Sequence, residues 1–206
     1  MKTPLRYQVS EYDCGPTALL NAVSFLFERE QIPPELIRNV MLYSLDSYGV
    51  DGTFGKNGTS HTAMMFLSHW LDNFGSVGRL PIRTRYLRGG AVRLGAAGEL
   101  SDALRRGGAA VARVWFDEDH YVTLTGEQNG GVRMFDPYYH EGAFDEKAVE
   151  AVTGRPFEYN RIVPPWVLDR EGADIYALGP VELREAVLIF NTETMLTAEN
   201  TIEYFI

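Results

Sequence analysis

One cysteine occurs in the 206 residues, Cys14, and its neighbours are of the kinds that nucleophilic chemistry requires. It lies in the stretch Gln8-Val-Ser-Glu-Tyr-Asp-Cys14-Gly-Pro-Thr-Ala-Leu-Leu-Asn21. Asp13 is a good helix N-cap, because a carboxylate there accepts unpaired N–H groups of the first turn. Pro16 suits that turn, where a missing N–H costs little. Ala18, Leu19, Ala22, Val23 and Leu26 then recur at helical spacing. Cys14 is thus expected at the start of an amphipathic helix, with its sulfur near the positive end of the dipole, a placement that favours thiolate over thiol. Gln8 stands six residues upstream. Its side-chain amide can fold back to form an oxyanion hole with the Cys14 N–H. The plainer alternative for Cys14 is a small buried hydrophobe in a core helix.

A cysteine nucleophile needs a base, normally histidine, and a group that orients the base. The four histidines are His61, His69, His120 and His140. His61 and His69 fall on a predicted helix at a spacing unsuited to shared metal ligation, and packing or surface roles suit them. His140 follows Tyr138-Tyr139 in a loop. His120 opens a strand, and a strand end aims a side chain rigidly. Asp136 closes the next strand, the other arm of the same hairpin. If Gln128-Asn129-Gly130 is a three-residue hairpin loop with Gly130 left-handed, Val122 falls opposite Asp136. His120 is then a same-face diagonal neighbour of Asp136, within about 7–8 Å at Cα. A two-residue Asn-Gly turn instead puts the two on opposite faces. Singly each residue has an ordinary explanation: Asp136 before Pro137 is a common turn starter, and His120 can be a plain strand-end residue. With Cys14 they make an economical triad.

The elements that must position these groups follow from periodicity and punctuation. Helices are expected from Cys14 to about Glu30, after Pro33-Pro34 with Leu36, Ile37, Val40 and Met41 as the apolar side, from His61 to about Phe74, and from Gly98 to Arg106. The third is capped by Ser60 or Thr59 and should bury Ala63, Met64, Phe66, Leu67, Trp70 and Leu71. Residues 46–60 are rich in glycine and polar residues and should form a surface loop, long enough for a binding loop or flap. They lack the Gly-Lys-Ser/Thr ending of a phosphate-binding loop. Strands are expected at Ile82–Leu87, Ala109–Phe116, Asp119–Gly126, Gly131–Asp136 and Glu185–Phe190, with a short helix at Phe144–Val152. Helices followed by strands argue for an α+β fold. A single domain over 1–206 is expected, with its core at about 5–145 and residues 146–206 completing the sheet or covering the cleft.

Composition narrows the function classes. Hydrophobic residues at 45% and charged residues at 23% are ordinary for a soluble globular protein. A net charge of −9 argues against nucleic acid as a partner. One cysteine excludes an internal disulfide framework and a cysteine-based zinc site. No apolar run resembles a secretory signal or the ~20 residues of a membrane span. These features point to a cytoplasmic protein, or one whose targeting segment lies outside this sequence, with no membrane partner. The chemistry outlined above calls for no cofactor and no metal.

These pieces together resemble the papain-like cysteine peptidases, and more narrowly the double-glycine leader peptidase family, which trims bacteriocin precursors, and its stand-alone relatives. The matching features are Gln8 six residues before Cys14, Asp13-Cys14-Gly15 opening a helix, His120-Tyr121-Val122 on a strand, and Val132-Arg-Met-Phe-Asp136-Pro137 on the next. The resemblance covers roughly residues 5–145 and implies a papain-like α+β fold. It implies Cys14 as nucleophile, His120 as base, Asp136 as orienting group and Gln8 in the oxyanion hole, acting on a peptide or small amide. No membrane spans or nucleotide-binding motif of a transporter accompany these motifs. An acyltransferase on the same scaffold shares the chemistry up to the thioester, and a peptide-binding module without catalysis is a third possibility.

Overall fold

The structure, a computed structural model, describes residues 1–142 and 144–197. Within them the chain is α+β, with helices packed on an antiparallel sheet. The helices are α1 (Cys14–Leu26), α2 (Pro34–Ser44), α3 (His61–Ser76), α4 (Glu99–Arg105) and the short α5 (Pro165–Leu168). The strands are β1 (Ile82–Arg88), β2 (Ala109–Phe116), β3 (Glu118–Gln128), β4 (Gly131–Phe135), β5 (Glu150–Ala151), β6 (Arg161–Val163) and β7 (Glu185–Asn191). Seven strands pair in the order β1-β7-β2-β3-β4-β6-β5. The predicted strand at 185–190 therefore lies inside the sheet, between β1 and β2.

The period-two alternation of β2 distributes its side chains to two cores. Ala109 and Val111 pack with α1, α2 and α3, whereas Ala110, Ala112 and Val114 pack with α4 and the C-terminal segment around Val167, Leu168 and Tyr176. Such alternation is what a strand with both faces covered requires. On the next strand, the Thr123 hydroxyl donates to the Ala18 carbonyl at 2.9 Å and ties β3 to α1.

Several boundaries differ from expectation. α1 stops at Leu26, because fully buried Phe27 turns extended, and Arg29–Gln31 then forms a 3₁₀ turn. In α2 only the Leu36 and Val40 side of the predicted stripe is buried, while Ile37 and Met41 are exposed. Phe66 of α3 is also exposed and packs edge-on against Tyr43 at 5.3 Å. The expected helix at 144–152 is absent: turns lead into β5, which pairs with β6. Ser60 does cap α3, its hydroxyl accepting the Ala63 N–H at 3.1 Å.

The β3–β4 hairpin differs in an instructive way. Gln128 pairs with Gly131, so the loop is the two-residue Asn129-Gly130 turn, not the three-residue loop. Both residues have positive φ, 52° and 79°, as a type I′ turn demands. The register then shifts between Leu124 and Gly126, leaving Thr125 as an extra residue in a β-bulge. That residue restores the parity: Thr123 pairs with Phe135, so Val122 falls opposite Asp136 as expected, for another reason. Gly126 fits the bulge because a Cβ there would meet the Arg133 guanidinium at 2.0 Å, and that guanidinium donates to the Thr125 carbonyl at 3.2 Å.

Candidate active site

Cys14 is the first residue of α1 and is buried. Asp13 precedes it but makes no side-chain cap to the helix. Its carboxylate turns back to accept the Val9 N–H at 3.0 Å, the Ser10 N–H at 2.6 Å and the Ser10 hydroxyl at 2.7 Å. Burial raises the Asp13 pKa, but these donors outweigh it and hold the pKa below the usual carboxylate value. So Asp13 fastens the segment that leads into Cys14 instead of capping the helix. Gly15 is required by close approach: a Cβ there would lie 2.2 Å from Thr59 Oγ1, in the loop 46–60. That loop thereby reaches the mouth of α1, and Lys56, Asn57 and Thr59 border a cleft of about 500 Å³ together with Cys14 and His120.

His120 and Asp136 meet as the parity requires. His120 Nε2 and Asp136 Oδ1 are 2.7 Å apart, in a site where the carboxylate is fully buried. The same oxygen accepts the Tyr138 N–H at 2.8 Å, and Oδ2 accepts the Tyr176 hydroxyl at 2.6 Å. Asn160 holds the backbone of Asp136 from both sides, accepting its N–H and donating to its carbonyl, each at 2.8 Å. Phe116 and Tyr138 flank the imidazole at ring distances of 5.6 and 6.4 Å. Burial alone would lower the His120 pKa. Asp136, and after it Cys14, outweigh burial and push it up to about 10. The ring therefore carries a proton at neutral pH, and with Nε2 committed to Asp136 its other nitrogen is the one left for Cys14.

Gln8 is placed differently from expectation. Its amide nitrogen donates to the Ser10 carbonyl at 2.8 Å, its backbone N–H donates to the Pro137 carbonyl, and its buried Oε1 has no partner among the described residues. It borders a smaller hollow with His120, Phe116 and Tyr138 and is absent from the lining of the Cys14 cleft. One hydrogen of its NH₂ group remains for another acceptor. His61 borders the Cys14 cleft, although packing or surface roles were expected of it. His140 stacks on Phe144 at 4.7 Å.

Residues that the sequence did not single out complete the site. Trp115, Arg113, Asp119 and His61 are shared between the cleft and a neighbouring cavity of about 470 Å³, walled by Val114, Leu178 and Leu183. Tyr176 and Asn160 support Asp136 from beyond residue 145. No group of three or more His, Cys, Asp or Glu side chains is placed to hold a metal among the described residues, and no helix there is long and apolar enough to cross a membrane.

No family model and no curated protein matches the chain. Solved structures do resemble it. A double glycine motif protease from an AMS/PCAT transporter, in complex with the leader peptide, is 13% identical with a TM-score of 0.46, over 92% of this chain and 90% of that one. The peptidase domain of Streptococcus ComA, described as a bi-functional ABC transporter of a quorum-sensing pathway, is 20% identical with a TM-score of 0.41, over 66% of this chain and 79% of its own. The peptidase domain of Streptococcus mutans ComA is 14% identical with a TM-score of 0.41, over 91% and 98% of the two chains.

Proposed function

We propose that this chain is a papain-like cysteine peptidase that cleaves a peptide or small amide bond through a thioester on Cys14. The observation that carries this is the buried 2.7 Å pair of His120 and Asp136, set with Cys14 at one cleft. A protonated imidazole beside sulfur supplies the positive charge that a thiolate nucleophile needs. The thiolate attacks the carbonyl carbon, forming a C–S bond and an oxyanion. The Cys14 N–H at the helix start receives that oxyanion, with Gln8 as second donor once its amide turns toward the cleft. His120 gives its proton to the leaving nitrogen as the C–N bond breaks. Neutral His120 then takes a proton from water, which attacks the thioester and frees the acid and Cys14. Asp136 fixes the imidazole's orientation and balances its charge throughout. The adjoining apolar cavity suits a substrate side chain next to the scissile bond. A cytoplasmic setting, where thiols stay reduced, suits the nucleophile.

Mass spectrometry on protein mixed with a panel of peptides, amides and thioesters tests this. The expected result is amide turnover with an acyl adduct on Cys14, and loss of both in Cys14→Ser. Turnover of thioesters alone, with transfer to added amines, would replace the peptidase by an acyltransferase. No adduct and no turnover, in protein whose thiol reacts like free cysteine, would leave a binding module.

A further inference from the structure

We infer that Tyr176 is a positioning residue for the triad, acting through Asp136; this rests on the function proposed above. Tyr176 stands in the C-terminal segment, fully buried, and its hydroxyl reaches Asp136 Oδ2 at 2.6 Å. The other carboxylate oxygen is taken by His120 and the Tyr138 N–H. Three of the carboxylate's roughly four acceptor sites are then filled, two on Oδ1 and one on Oδ2, and these three bonds fix its plane toward the imidazole. Without the phenol, Oδ2 is a charged oxygen with no partner in a site that excludes water. Such an atom must rotate toward a donor or take a proton, and either change loosens its hold on the ring.

Three features show that the phenol is held for this contact. Tyr176 has a φ of 60°, a left-handed backbone that a bulky residue adopts only when its surroundings enforce it. Two backbone bonds enforce it: the Tyr176 N–H donates to the Trp115 carbonyl at 2.7 Å, and the Trp115 N–H donates to the Ala177 carbonyl at 2.8 Å. Behind the phenol, buried Arg161 donates through Nε to the Tyr176 oxygen at 3.3 Å, while its plane lies over Phe144 at 4.9 Å. The phenol oxygen accepts from a cation on one side, so its proton points at the carboxylate on the other. Burial, and then the charge of Asp136, keep that proton in place, well above the usual phenol range. Because Trp115 also borders the cleft, the clamp that strains Tyr176 is part of the cleft wall.

The experiment measures alkylation of Cys14 by iodoacetamide at neutral pH in four proteins: wild type, Tyr176→Phe, Asp136→Asn and the double variant. Phenylalanine keeps the ring and its packing. Tyr176→Phe is expected to slow alkylation about tenfold, the scale of one hydrogen bond to a charged group. In the Asp136→Asn background the same change should have little further effect, since its only route of action is gone. The His120 Nε2–H proton, seen by NMR, should move in Tyr176→Phe and lose its protection from exchange. A purely packing role predicts an unmoved resonance and the same loss in both backgrounds, and either result overturns the inference. His120→Ala separates this from the function itself. If His120→Ala alkylates as fast as wild type, the triad fails; if it is slow while Tyr176→Phe is not, only the role of Tyr176 fails.

Discussion

Replacing Asp136 by asparagine takes a charge from the buried pair while leaving a way to keep its hydrogen bonds. Oδ1 accepts from His120 Nε2 at 2.7 Å and from the Tyr138 N–H at 2.8 Å, and Oδ2 accepts from Tyr176 at 2.6 Å. An asparagine fits in one orientation, with its carbonyl oxygen in place of Oδ1 and its NH₂ toward Tyr176. The phenol must then accept where it had donated, beside the Arg161 Nε–H that it already accepts, and its own proton turns away. The variant is expected to fold, losing the charge and the phenol's donated bond. A hydrogen bond to a charged group contributes about 1.5–3 kcal/mol and a neutral one about 0.5–1.5 kcal/mol, so the imidazolium loses about 1–2 kcal/mol. That corresponds to a proton held roughly 5–30-fold less tightly by the ring, at 1.36 kcal/mol for each factor of about ten. Burial then acts against the charge with less to oppose it, which sets this range as a lower bound.

Alkylation of Cys14 is a clean assay, because the chain has no other thiol. At neutral pH the wild-type ring is protonated, its pKa pushed up to about 10, and it supplies the positive charge beside the sulfur. The asparagine variant should react more slowly at neutral pH, because its ring holds the proton less tightly beside the sulfur, with a melting temperature within a few degrees of wild type. A folded Asp136→Asn protein that alkylates at the wild-type rate would show that Asp136 does not govern the imidazole, and the site would have to be redrawn without it.

Stability should depend on pH through the same ring. The His120 pKa is raised from 6.5 to about 10, so its contribution is complete below 6.5 and is lost as pH rises through about 10; a urea midpoint that stays flat across that interval counts against the buried charge. Gln8→Ala should keep the fold and lower turnover by about 10²–10³ if the amide serves the oxyanion; unchanged turnover makes Gln8 structural, as its bond to Ser10 alone would have it. Gly126→Ala should lower the melting temperature, because a side chain is strained at its φ of 155° and its methyl displaces the Arg133 guanidinium from the Thr125 carbonyl, and an unchanged melt means that the bulge tolerates both.

The parts of the site written in local signals were legible. A helix start at Cys14, a strand beginning near His120 and a strand ending near Asp136 all follow from spacing and punctuation over a few residues. Asp13 was expected to cap the helix and does not, because its carboxylate had nearer donors in Val9 and Ser10 than in the helix, and sequence spacing alone does not rank them. Tyr176 and Asn160 were beyond reach for another reason. They lie 40 and 24 residues past Asp136, in chain without a periodic pattern, and only the folded sheet brings them to it.

The hairpin separates a correct pairing from the reason first given for it. Which face a strand residue occupies depends on the parity of the residues between paired positions. A three-residue loop and a two-residue loop with one bulged residue have the same parity. The sequence did carry the sign that distinguishes them, since an isolated glycine inside an alternating strand marks a bulge. Gly126 is that glycine, one place from the extra residue Thr125. The difference matters for function, because a loop sets register from the hairpin's tip, far from His120, whereas the bulge sets it on β3 itself, between the turn and the residue that faces Asp136. Changes to the Asn129-Gly130 tip that preserve its length should therefore leave the His120–Asp136 pair intact, while removal of Thr125 should turn His120 to the other face and leave Asp136 buried without its partner.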